Sequence, residues 1–373
     1  MNVLLLCYTS LSVQLIDNYY KYYSGKLIHL TTMEYAVIES QLSEDWLKES
    51  KIDLVVIIGN AYQKSDFLFN LARKSTIPFF FPSKDIVTLE TSKILTKKLL
   101  TKLDIPTAPF KVFLGKDIKK DKTPLVVKYD ADYLGDQTEI VFNTFVLREQ
   151  FENKPVLVEE FLSGEEFTYQ AICNGSSFTF FGISRDYKKY KRKNTCGIAS
   201  ISSQYQKSIP EIDSYIEKIL RLLNSTGILY CGVMNLNIMK VDNTYYVLEI
   251  NTRFGDPETQ SLYPTTNIDL FNLFFLAATA QPLPNIDRTG MAGVCIQLIH
   301  KDYNNIEKDM CIYPTLVKDR NIQFGDQLIW SKKNVFGSLT ASAYSVEDAL
   351  RYILSYLEDK HLGDYVFIDS THG

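Results

Sequence analysis

This 373-residue chain has only four histidines and six cysteines. His29, His300, His361 and His372 form no pair at helical ligand spacing, which speaks against a zinc site. Cys7, Cys173, Cys196, Cys231, Cys295 and Cys311 share no CxxC spacing, and the chain is too long for a small disulfide scaffold. Free thiols in a reducing compartment are expected. A membrane-length apolar run is missing: the most apolar later stretch, 270–280, is too short and contains Asn272. No basic region precedes the apolar opening Val3-Leu4-Leu5-Leu6, so it reads as a buried first strand and not as a secretory signal. Charge of one sign does not dominate. Forty Lys and Arg against 44 Asp and Glu leave a net −4, with no general pull toward nucleic acid or an anionic membrane. Internal repeats and low-complexity tracts are also missing. A cytoplasmic protein is expected, monomeric or homodimeric, with neither a membrane nor a nucleic-acid partner. Its 46% hydrophobic and 23% charged residues are ordinary for a globular chain of two or three domains.

The first ninety residues alternate strand and helix signals. Residues 3–6, 27–30, 54–58 and 77–81 read as strands, and 10–23 has helical spacing. The run 54–58 is continuously apolar and ends in Gly59, the pattern of a parallel strand covered on both faces. Such alternation implies an open α/β sheet, with ligands at the carboxyl ends of its strands, near residues 7–10 and Gly59–Asn60. Leu89, Leu95, Leu99 and Leu103 share helical spacing, so 88–103 is expected to be one helix, ended by Ile105-Pro106. Strands follow at 125–129, 156–159, 167–172 and 178–183, then a helix at 210–223, a strand hairpin over 229–250 and a helix at 269–280. The segment 281–284 reads as a linker. Beyond it, 293–373 mixes strands with one helix at 346–357.

The most informative stretch is Leu248-Glu249-Ile250-Asn251-Thr252-Arg253-Phe254-Gly255-Asp256-Pro257-Glu258. It begins as a strand, so Glu249, Asn251 and Arg253 point to one face. A carboxylate, an amide oxygen and a guanidinium together suit Mg²⁺ and phosphate: Mg²⁺ takes hard oxygen ligands, and arginine forks onto phosphate oxygens. One such triplet on its own would also make an ordinary polar strand edge. On the preceding strand, Asn235 and Asn237 share a face. A three-residue turn at 242–244 would set Asn237 opposite Glu249, as a further oxygen donor.

Residues 248–260 resemble, nearly letter for letter, the metal and phosphate strand of glycinamide ribonucleotide synthetase (phosphoribosylamine–glycine ligase), a family of ATP-grasp enzymes. Other segments extend the resemblance over nearly the whole chain. Glu159-Glu160-Phe161-Leu162, with Glu166 seven residues after Glu159, resembles the family's adenine hinge and its ribose-binding carboxylate. Lys128 in Val126-Val127-Lys128 resembles the family's Val-Val-Lys, and Lys93 in Ser92-Lys93 its Gly-Ser-Lys; both lysines would hold nucleotide phosphates. Asp186 and Lys188, followed by Asn194 and Thr195, resemble the segment where acceptor and acyl phosphate meet.

The resemblance implies an α/β ATP-grasp fold. An N-terminal open parallel α/β domain would span 1–87. The ATP-grasp core would span 88–283, with a small lid subdomain at about 107–172, and a C-terminal α+β domain would span 284–373. It implies ATP and Mg²⁺ (or Mn²⁺) as cofactors, with Glu249, Asn251 and Asn237 as metal ligands and Arg253 and Lys128 acting on the transferring phosphoryl. The partners implied are a small carboxylate, glycine among them, and an amine. Asp186, Lys188, Asn194, Thr195, Asp256 and Glu258 would line the substrate side. The reaction implied is amide formation through an acyl phosphate.

Three departures bear on the acceptor. The family's glycine-rich phosphate loop after the first strand is here Cys7-Tyr8-Thr9-Ser10-Leu11-Ser12. Its Gly-Pro-Glu is Gly59-Asn60-Ala61. Its glycine-rich lid is Ala131-Asp132-Tyr133-Leu134-Gly135-Asp136-Gln137. The ATP half of the motif set is thus kept better than the amine half. A paralogue joining an amino acid to another amine, or a nucleotide-binding protein with little ligase activity, are the alternatives.

Overall fold

The computed structural model describes residues 1–9, 11–31, 35–114, 124–129, 138–141, 155–190, 193–299, 317–319, 322–326 and 335–359. Among them the strands form three sheets. The first runs β2–β1–β3–β4, all parallel, from β1 (Val3–Cys7), β2 (Leu27–Leu30), β3 (Leu54–Ile58) and β4 (Phe79–Phe80). Every residue of β1 and β3 is buried. Val3, Leu5 and Val56 face the helices Leu11–Tyr22 and Leu270–Ala278, while Leu4, Leu6, Val55 and Ile57 face Ile38, Leu47 and Leu68. Burial on both faces is why these strands read as unbroken apolar runs.

The second sheet runs β5–β8–β6–β7, antiparallel, from β5 (Phe110–Leu114), β6 (Leu125–Tyr129), β7 (Thr138–Val141) and β8 (Pro155–Glu160). The third has the order β13–β12–β9–β10–β11–β14–β17–β16–β15. Its strands are β9 (Glu165–Gly175), β10 (Phe178–Tyr190), β11 (Lys193–Ser202), β12 (Tyr230–Val241), β13 (Thr244–Asn251), β14 (Ala292–Ile299), β15 (Val317–Asp319), β16 (Ile322–Asp326) and β17 (Val335–Ala343). The helix Pro210–Ser225 packs Ile212, Ile216, Ile219 and Leu223 against Tyr169, Met234 and Leu236 of this sheet. The α/β class expected from the sequence is what forms.

Three local features differ from the expectation. The helix expected over 88–103 is two, Lys84–Thr91 and Lys93–Lys102. Ser92 between them is extended (φ −107°, ψ 97°), and its Oγ accepts the Leu95 N–H at 3.2 Å. A serine that caps the next helix overrides a leucine periodicity that continues through it. The hairpin turn between β12 and β13 pairs Val241 with Thr244, one residue tighter than expected. A bulge at Leu248 then restores Asn237 opposite Glu249. Finally, β10 extends to Tyr190 and β11 starts at Lys193, so Lys188, Lys189 and Lys193 of the basic run lie on paired strands. Among the described residues no helix is long and apolar enough to cross a membrane.

Candidate active site

The three sheets and the broken helix pair bring distant charges together at β13. Glu249 Oε1 accepts from the side-chain amides of Asn237 and of Asn251 (3.4 Å), while its Oε2 accepts from Lys93 Nζ at 2.9 Å. Asn251 lies opposite Asn235, two residues along the same strand pair and on the same face. Lys93 opens the second helix and is buried. Burial works against its charge, but Glu249 and Glu90 outweigh it, so the ammonium pKa is raised.

Arg253 follows the strand end. Its Nε donates to Glu90 Oε1 at 2.9 Å, and its Nη1 donates to the Phe254 carbonyl at 3.3 Å. Burial again opposes the charge, and Glu90 and Glu258 outweigh it, so the guanidinium stays charged.

Lys128, on β6, reaches Glu159 Oε1 at 3.1 Å and the Leu248 carbonyl at 3.4 Å. Glu159 turns inward from β8 and is 2% exposed. Its same oxygen also meets Lys97 Nζ at 3.3 Å; both contacts are ion pairs without hydrogen-bond alignment. Glu160 and Phe161 are exposed and Leu162 is half-buried at the connection from β8 to β9. Gly164 closes that connection: a Cβ there would sit 2.1 Å from the Lys240 carbonyl, so the tight approach needs glycine. Glu166 is exposed on β9, opposite Met239.

Asp186, on β10, is tied to the same region. Thr168, opposite Asn237, donates its hydroxyl to Asp186 Oδ2 at 2.9 Å and lies 3.2 Å from Asn237 Oδ1. Lys188, Asn194 and Thr195 fall on the β10–β11 hairpin, where Lys189 pairs with Asn194. Asp256 Oδ1 accepts from Gln260 Nε2 (2.6 Å) and Gln297 Nε2 (3.0 Å); burial raises its pKa against those bonds. Glu258 folds back over Gly255, where a Cβ would lie 2.7 Å from its Cδ. The lid segment 131–137 lies outside the described residues.

At the carboxyl end of the parallel sheet, Tyr8 spans from β1 to the turn after β3. Its hydroxyl donates to Asn60 Oδ1 and accepts the Ala61 N–H at 3.1 Å, and its ring lies against Gly59. Cys7 Sγ lies 3.7 Å from the Thr9 hydroxyl, and burial pushes its thiol up to about 11.

Glu90, Lys97, Tyr8, Gln260 and Gln297 were not singled out by the sequence. A charged residue inside an apolar helix face has no periodic signature of its own. Lys97 has a testable consequence. It is 1% exposed, and burial together with Lys128 pushes its pKa down to about 7, with Glu159 offsetting part of the shift. Its charged form therefore costs stability below pH 7, a cost relieved as pH rises toward the lysine's ordinary value. Lys97→Met leaves a balanced Glu159–Lys128 pair. It should raise the denaturant midpoint at pH 6, by on the order of 1 kcal/mol or more, and less at pH 9. A midpoint that falls equally at both pH values contradicts this.

Residues 91–259 match the family model for the phosphoribosylglycinamide synthetase ATP-grasp (A) domain. The phosphoribosylamine–glycine ligase of Caldanaerobacter subterraneus subsp. tengcongensis is 30% identical over 64% of this chain and 63% of its own length, just under two thirds. That of Thermotoga maritima is 32% identical over 48% of this chain and 51% of its own. In solved structures, a T. maritima phosphoribosylamine–glycine ligase superposes with a TM-score of 0.75 over 95% of this chain and 96% of that one, at 23% identity. Biotin carboxylase of Campylobacter jejuni superposes with a TM-score of 0.68 over 96% and 91%, at 14% identity. At these identities the superpositions speak for the fold.

Proposed function

We propose that this chain, which is similar to the phosphoribosylamine–glycine ligases, is an ATP-grasp enzyme and an ATP-dependent carboxylate–amine ligase. The observation that carries the reading is the convergence of two lysines from separate elements, Lys93 and Lys128, on residues 248–253, which themselves carry Glu249, Asn251 and Arg253. A coincidental polar strand edge would not gather buried lysines from a helix and from another sheet.

The donor set fits Mg²⁺. Glu249 supplies one carboxylate, and Asn251 and Asn237 on paired strands, whose amide nitrogens face Glu249, would present their amide oxygens to the cation by a flip of the amide group. Among the described residues no group of three or more His, Cys, Asp or Glu gathers as a metal site. Mg²⁺ in phosphoryl-transfer sites needs no such cage, because it keeps waters and substrate phosphates as ligands. Bound there, it would neutralise charge on the β- and γ-phosphate oxygens.

Lys93 and Lys128 hold the nucleotide phosphates, and the 159–166 connection receives the adenosine. The substrate carboxylate oxygen attacks the γ-phosphorus and ADP leaves, giving an acyl phosphate. Arg253 stabilises charge on the phosphoryl in transfer. The amine nitrogen then attacks the acyl carbon, inorganic phosphate departs, and the nitrogen gives up a proton. Asp256 and Glu258, with Asp186, hold the ammonium end of the amino acid. The chain is proposed to be organised as 1–87, 88–283 and 284–373, and to act in the cytoplasm on small molecules.

The ligase reading is tested by ADP release with MgATP against a panel of amino acids and amines. ATP binding with no release for any pair overturns it in favour of a nucleotide-binding role. Glu166 is expected to contact the ribose. Glu166→Ala should weaken ATP and narrow its advantage over 2′-deoxy-ATP, because the discrimination comes from a hydrogen bond that only the 2′-hydroxyl can complete. Equal loss of affinity for the two nucleotides would remove Glu166 from the 2′-hydroxyl.

A further inference from the structure

We propose that Glu90 is a positioning residue that acts through Arg253, setting the guanidinium that meets the transferring phosphoryl; this rests on the ligase reading above. Glu90 is on the last turn of Lys84–Thr91 and is 1% exposed. Its Oε2 accepts the Thr252 N–H at 2.8 Å and the Thr252 hydroxyl at 3.1 Å, and its Oε1 accepts Arg253 Nε at 2.9 Å. One carboxylate thus fixes both the backbone that carries Arg253 and the root of its guanidinium.

Thr252 is held from a second side. Gln63, 3% exposed in the turn Tyr62–Lys64, donates its amide to the Thr252 carbonyl at 3.0 Å, with the Thr252 hydroxyl 3.2 Å away. Elements separated by more than 150 residues in sequence therefore close on one residue, next to the proposed catalytic arginine.

The donor arithmetic leaves room for substrate. A guanidinium carries five N–H groups. Glu90 takes the Nε–H and the Phe254 carbonyl takes one Nη1–H. The other three N–H groups make no hydrogen bond among the described residues. A hold at Nε fixes the rotation of the plane without consuming the fork that grips phosphate oxygens. An arginine held in advance spends no ordering entropy when the γ-phosphoryl arrives, which is how a buried partner assists a charge-stabilising donor.

The test uses the full-length chain and needs no turnover. ATP and ADP affinities are measured calorimetrically with Mg²⁺ for the parent, Glu90→Gln, Arg253→Ala and the double variant. Glutamine keeps the shape and an acceptor for the Thr252 N–H but removes the charge that holds Nε. Glu90→Gln is expected to reduce the ATP-over-ADP preference ~10-fold, the scale of one charge-assisted hydrogen bond, with ADP affinity within about twofold. In the Arg253→Ala background the same change should add less than about twofold. Gln63→Ala, which releases Thr252 from its other side, should shift the preference in the same direction by a smaller factor. It supplies the readout if Glu90→Gln does not fold. An unchanged ATP-to-ADP ratio in Glu90→Gln or in Arg253→Ala, ADP affinity falling in step with ATP, or additive losses in the double variant would each overturn the proposal. If Glu90→Gln does not fold, an unchanged ratio in Gln63→Ala overturns it. The amine panel separates the two ideas: silence there with Glu90–Arg253 coupling intact rejects the ligase reading alone, and turnover without coupling rejects the Glu90 role alone.

Discussion

Glu249→Ala is expected to lower turnover by ~10²–10³, the usual cost of removing one preorganised charge-stabilising group, while the chain remains folded. Glu249 lies between the cation Lys93 and the amides of Asn237 and Asn251. Its loss removes the one carboxylate in the proposed metal set, and the two amide oxygens alone are weak ligands for a hard cation. Glu249 is half-buried and its neighbours Lys93, Asn237 and Asn251 are polar, so truncation opens no large apolar cavity. Mg²⁺-dependent nucleotide binding, followed by titration with and without the metal, should fall along with turnover. Turnover within a few-fold of the parent, or ATP binding with the parent's Mg²⁺ dependence, would show that Glu249 holds no metal.

Phosphoribosylamine is expected to be a poor acceptor, with kcat/KM at least ~10²-fold below that of the best amine in the panel. A phosphate monoester at the end of a parallel sheet needs several aligned, unengaged donors. Here the Ala61 N–H is bonded to the Tyr8 hydroxyl, and the Tyr8 ring lies against Gly59. Asp256 and Glu258 both act on Arg253, so two carboxylates stand on this side of the site. Unmet polar demand of this kind commonly discriminates by 10²-fold or more. The measurement supplies freshly generated phosphoribosylamine, glycine and MgATP and follows ADP and product. Turnover in the ordinary range of roughly 1–10³ s⁻¹ would restore glycinamide ribonucleotide synthesis as the activity. Tyr8→Ala offers a second check, since freeing the Ala61 N–H should raise phosphoribosylamine use relative to other amines.

The parallel sheet, the 229–250 hairpin and the helix at 210–223 were legible in the sequence because each follows from local terms. Val3–Cys7 and Leu54–Ile58 are apolar throughout because both their faces are covered, and the helix Pro210–Ser225 shows its buried stripe at every third or fourth position. The alternation of side chains along a strand was enough to put Glu249 and Asn251 together. The tertiary structure alone decided how the other charges meet them. The bulge at Leu248 and the inward turn of Glu159 depend on partners from other strands, whereas the break at Ser92 is a local cap that the continuing leucine periodicity masked. Glu90 finds Arg253 across 163 residues and Lys93 finds Glu249 across 156, and the same Tyr8 that reads as one more residue after a strand turns out to take the Ala61 N–H. Periodicity reports which side of an element avoids water. It carries no record of which buried charge is paired with which, because that pairing is set by the electrostatic cost of leaving either ion alone after the chain has closed around it.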